Sequence, residues 1–121
     1  MKNVIMGSVL AVVAATSLSA HAASVAVCTG GLAGNGPAAT FATDGTSFVK
    51  VAFTPKCSAN VILNSNDASA TLFQVASASQ KGKSTFNGSS AGGSVGVSAA
   101  CAASPCTASE VGTALSAAPS S

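Results

Sequence analysis

Four cysteines, Cys28, Cys57, Cys101 and Cys106, carry the most defined chemistry in this chain of 121 residues. Their even number, behind an export-type leader, reads as two disulfides rather than free thiols. Three pairings exist for four cysteines. Pro105 favours a turn in the short Cys101-Ala-Ala-Ser-Pro-Cys106 segment, so a local bridge is expected there, leaving Cys28 for Cys57. Zinc is the competing use, but it needs Cys or His in close pairs. Cys28 has no near neighbour of either kind, and the only histidine, His21, lies in the leader. No metal and no cofactor is expected.

Removal of His21 with the leader takes Ser-His-Asp and Cys-His mechanisms from the mature chain. A serine with a lysine base would have to recruit Lys50, Lys56, Lys81 or Lys83. A catalytic lysine must be desolvated to lose its proton near neutrality. All four fall at strand edges, on exposed strand faces or in turns of the pattern below. Asp44 and Asp67 sit in separate turn-like segments, and Glu110 suits a helix cap better than half of an acid–base pair. Lys81-Gly82-Lys83-Ser84 ends like a phosphate loop, but Ser77 stands where the first glycine of that loop belongs. Asn64-Ser65-Asn66-Asp67 offers oxygen ligands for calcium, yet it lacks the glycine and final glutamate of an EF-hand loop and reads as an Asx-rich turn. Asn87-Gly88-Ser89 matches the glycosylation triplet, a match common by chance. No catalytic residue is expected, and the protein is expected not to be an enzyme.

Binding classes are narrowed in the same way. Without Trp or Tyr the chain has no platform for stacking on sugars, and four lysines without Arg make no groove for nucleic acid. Five Phe are present, of which Phe48 and Phe86 are the candidates for exposure.

These residues need positioning elements. Lys2, the apolar run Val4 to Ala15 and the small-x-small site Ala20-His21-Ala22 read as a cleaved signal peptide over residues 1–22. Its apolar run is shorter than the roughly 20 residues of a spanning helix. Residues 23–121 then form one small exported domain, extracellular, surface-bound or periplasmic, with no membrane insertion of the mature chain. Val, Leu, Ile and Phe make up just under a fifth of it, against a large excess of Ala, Ser, Gly and Thr. Low charge and clustering of the large residues favour a small core over disorder.

Thr46 to Thr54 alternates, with Val49, Val51 and Phe53 on one face, and predicts a strand. After a turn at Thr54-Pro55-Lys56, the alternation of Cys57, Ala59, Val61 and Leu63 predicts its hairpin partner. Ala70 to Ala78 predicts a third strand with Thr71, Phe73 and Val75 on one side, and Ser84 to Gly88 a short fourth. Ser94 to Cys101 predicts another, with Val95, Val97, Ala99 and Cys101 inward. Ser24 to Cys28 reads as an edge strand, and Gly30 to Pro37 and Ser89 to Gly93 as exposed loops. Thr107-Ala-Ser-Glu110 is a capping box, placing Val111, Leu115 and Ala118 on one helical face until Pro119 ends the segment. The expected fold is mainly β: a small antiparallel sandwich or open barrel with two disulfides and a short C-terminal helix.

The chain lacks the alternating C-terminal motif of chaperone-assembled pilins and the processing glycine of type IV pilins. The functional expectation is an exported structural or surface-assembly protein, a self-associating subunit in a pilin-like, matrix or coat role. The partner would be a further copy, joined by pairing of an edge strand such as Ser24 to Cys28. The alternative is a secreted monomeric binding protein using the two glycine-rich loops.

Overall fold

A computed structural model describes residues 24–36 and 46–120. The leader, Phe41 and Asp44 lie outside the described residues. Seven strands and one helix run in the order β1 (Ser24–Thr29), β2 (Gly34–Asn35), β3 (Lys56–Cys57), β4 (Val61–Ser69), β5 (Leu72–Ser79), β6 (Ser84–Ser89), β7 (Gly96–Ala100) and α1 (Ala108–Ser116). The expected mainly β, antiparallel fold with a short C-terminal helix is what the structure shows. One sheet of five strands has the order β1-β4-β5-β6-β7, and β2 pairs with β3 separately.

The strands β4 to β7 form a meander because each connection carries turn chemistry. Ser69 pairs with Leu72 across the two-residue Ala70-Thr71 loop, and the Ser69 hydroxyl accepts the Thr71 amide. Gly82 donates its amide to Ser79 between β5 and β6, while Gly92 and Gly93 supply the positive φ needed between β6 and β7. Asn60, at φ 62°, turns the chain into β4; asparagine tolerates this left-handed region better than most residues.

Helix α1 lies across β4, β5 and β6. Thr107 accepts the Glu110 amide at 3.3 Å through its hydroxyl, and Glu110 accepts the Thr107 amide at 2.8 Å, the reciprocal capping box expected from sequence. Val111, Ala114 and Leu115 pack on Ile62, Ala76, Ala78 and Cys106 to make the core. Alanines on β5 let the helix approach the sheet closely. Two sheet amides then satisfy carbonyls that the end of α1 leaves without intrahelical partners. Asn87 Nδ2 donates to the Ala114 carbonyl at 2.9 Å, and Gln74 Nε2 donates to those of Ala118 and Pro119 at 2.9 and 3.2 Å.

Several strand expectations are corrected. Thr46 to Thr54 forms no strand of the five-stranded sheet and runs as an irregular strap, so its hairpin with the following strand is absent. The physical reason is a competing acceptor: Asp67 takes the amides of Phe48 and Val49 at 2.6 and 2.9 Å. Asn64 to Asp67 is no turn but the middle of β4, its backbone paired to β5 and, up to Asn66, to β1; Asn66 donates to Gln74, its cross-strand partner, at 3.1 Å, and Asp67 accepts from the strap. β5 does keep Phe73 and Val75 on one side, half-buried; it is Gln74, Ala76 and Ala78 on the other side that meet the helix. Val97 in β7 and Val95 just before it point out rather than in, at 64% and 68% exposure. The loop Gly30 to Pro37 holds one short piece of regular structure, β2, with its remaining described residues in bends.

Candidate functional site

Both expected disulfides are present. Cys28 and Cys57 bridge β1 to β3 with Cα atoms 5.7 Å apart, and Cys101 and Cys106 close the end of β7 onto the start of α1 at 5.4 Å. Glu110 ties the second loop down further, since its carboxylate also accepts the Ala102 amide at 2.6 Å. The Thr107 amide foremost, then the Ala102 amide and the Thr107 hydroxyl, hold the Glu110 carboxyl below its ordinary pKa.

The residues considered for chemistry are not brought together. Lys50, Lys56, Lys81 and Lys83 are all exposed, in the strap, in β3 and in the β5–β6 turn. Asp67 is 2% exposed, beneath the strap whose amides it holds. Among the described residues no group of three or more His, Cys, Asp or Glu side chains is placed to hold a metal ion. No helix among them is long and apolar enough to cross a membrane. Asn87, of the glycosylation triplet, is half-buried with its amide engaged by Ala114 and Ser98.

The two glycine-rich loops lie at opposite ends of the sheet. Gly31 accepts the Asn60 amide at the start of β4, whereas Ser90 bonds Phe73 and Thr71 at the start of β5. They line no common site. The first loop borders a hollow of about 180 Å³ shared with Cys28, Cys57 and Ser58.

A different surface stands out, on the sheet face away from α1. Phe48 stacks on Phe73 with ring centroids 5.8 Å apart, so the strap covers the β4–β5 part of that face. Towards β7, Phe86 is 40% exposed and pairs across strands with Val97. Val95 lies against Gly88, in the same row as Phe86, because a Cβ at Gly88 would come within 2.8 Å of Val95 Cγ2. These three side chains form one apolar patch at the edge of the sheet. From Ser84 through Ser109 the chain contains no charged residue. Beside β7 on the opposite face, a groove of about 300 Å³ is lined by small residues, Thr85, Ser98, Ala99, Ala114 and Ala117 among them, and by the capped carboxylate of Glu110.

The sequence pattern offered Phe86 of this patch for exposure but turned Val95 and Val97 inward, because it assigns large residues to the interior, and here the interior beside the helix leans on alanines of β5 and α1. The signal that could have found it was the long uncharged span itself. No protein-family model, curated protein or solved structure matches the chain.

Proposed function

We propose that the protein is an exported, non-enzymatic structural or surface-assembly subunit that associates with further copies of itself. The observation that carries this reading is the exposed row of Phe86, Val95 and Val97 at a sheet edge, within a stretch free of charge. Apolar patches rimmed by neutral small residues mark association surfaces, and absent charge removes the repulsion that keeps copies apart. Two disulfides fit an oxidising compartment, in keeping with export through a cleaved leader.

Sedimentation of the oxidised chain from residue 23 onward tests the reading. Mass that rises with concentration supports it; a monomer at the highest attainable concentration overturns it. The second reading, a monomeric binding protein, draws on the hollow beside Gly30, Leu32 and Cys57, and the monomeric outcome is the one it predicts.

A further inference from the structure

Any five-stranded open sheet has two edges, and the two edges of this one differ. β1 is bulged at Val27, where the register slips between Ala26 and Cys28. Its outer side is also occupied there. Cys57 Sγ lies 3.3 Å from the Val27 carbonyl oxygen, and Gly36 packs so close that a Cβ on it would collide with the same oxygen. Gly36 is held in that place by its amide, which donates a hydrogen bond to the Pro55 carbonyl at 2.9 Å. An incoming strand therefore finds only Ser24–Ala26 on that side.

At the other edge, β7 ends the sheet among the described residues. It carries no Lys, Glu or Pro, the residues by which natural edge strands refuse partners. A strand added beside it meets Val97 and Phe86 on one face and the small-residue groove under α1 on the other. Side chains on both faces of the newcomer thus have apolar surface to cover. One edge device is present, a bulge where Ser98 is skipped between the Phe86–Val97 and Thr85–Ala99 pairs. It shortens the usable ladder without closing the edge.

We infer that β7 is the contact between two copies, paired antiparallel about a two-fold axis, and that the assembly closes at two along this edge. The inference rests on the self-association proposed above and names its partner and surface. A second copy is the occupant because β7 and the whole span from Ser84 through Ser109 carry no charge with which to select a charged peptide, and the one carboxylate lining the groove, Glu110, is already held by the Ala102 and Thr107 amides. Two-fold pairing sets like neutral residues against like without repulsion. Closure follows from symmetry: a two-fold contact consumes the same patch on both partners, and the β1 edge, covered at Val27, leaves only Ser24–Ala26, too short a ladder for a fibre to grow from. Five residues of ladder bury less than a standard interface, so association is weak and concentration-dependent.

Hydrogen exchange and sedimentation equilibrium on the oxidised chain, each over a wide concentration range, test this together. The expected result is a mass tending to two chains, with added protection at the Gly96–Ala100 amides as concentration rises. Val97→Lys and Val95→Lys, both at exposed positions and so compatible with folding, should each weaken association at least tenfold while leaving exchange in β4 and β5 unchanged. A rising mass with unchanged β7 amides, or association undiminished in both variants, overturns the β7 contact and leaves self-association standing. Mass growing past two while β7 gains protection overturns closure. A wild-type monomer throughout overturns this inference and the proposed function alike.

Discussion

Both acidic side chains among the described residues are engaged by backbone amides, Asp67 by those of Phe48 and Val49, Glu110 by those of Ala102 and Thr107. A carboxylate that accepts several backbone N–H groups fastens one segment of chain to another. For Asp67, replacing one oxygen by an amide group sets a donor against a donor. Asp67→Asn should lower stability by about 2 kcal/mol, the order expected for hydrogen bonds to a charged acceptor. Urea unfolding measures the loss, and limited proteolysis should show earlier cleavage in residues 46–54. Glu110 makes a prediction about pH. Its folded pKa is lowered from the usual 4.5, so its contribution is fully present above that value and is lost as pH falls through the lower, folded value. Melting of the wild type and Glu110→Gln should differ near neutrality and converge in acid below pH 4.5; a constant gap down to pH 3 would remove Glu110 as the cause.

At the scale of elements, the helix was readable and the strap was not, for one physical reason. Thr107 to Glu110 caps its own neighbours, so a local pattern decides the outcome. The alternation in Thr46 to Thr54 records only a tendency, because a strand also needs an open partner, and β1 already occupies the side of β4 away from β5. The same limit applies to faces. Period-two reasoning located β5 and its two sides but not which of them meets the helix: Ala76 and Ala78 do, whereas Phe73 is shielded by Phe48 from the strap. Disulfide pairing was readable because chain length alone favours the short loop. The apolar patch at β7 was not, since it depends on which strand ends the sheet. Close packing of α1 yields two opposed predictions. Leu115→Ala should cost about 3 kcal/mol by leaving a cavity, and Ala76→Leu about 2 kcal/mol by forcing the helix outward. Chemical denaturation measures both; an Ala76→Leu variant as stable as wild type would mean that the helix–sheet interface has slack.

For the molecule as a whole, the core cluster beneath α1 is small and rich in alanine, so covalent links carry an unusual share of the stability. By loop-closure entropy the Cys28–Cys57 bridge contributes about 3.5 kcal/mol and Cys101–Cys106 about 2 kcal/mol. The two act differently in space. The first fastens the β2–β3 ladder to β1; the second sets the start of the helix against the sheet. Paired Cys→Ser replacement of each bridge, followed by thermal melting, should therefore lower the midpoint more for Cys28 and Cys57. Equal melting with and without reductant would contradict the account for both.

Helix α1 also comes after every strand in chain order, and it alone covers the core side of β4, β5 and β6 among the described residues. A polypeptide emerging from a narrow conduit, ribosomal or membrane, presents those strands with that side bare. They must wait until residue 118 clears the exit before the Leu115 and Ala118 side chains can seat. Folding is thus deferred until that residue has passed, and the waiting intermediate is where a holding chaperone would find its grip.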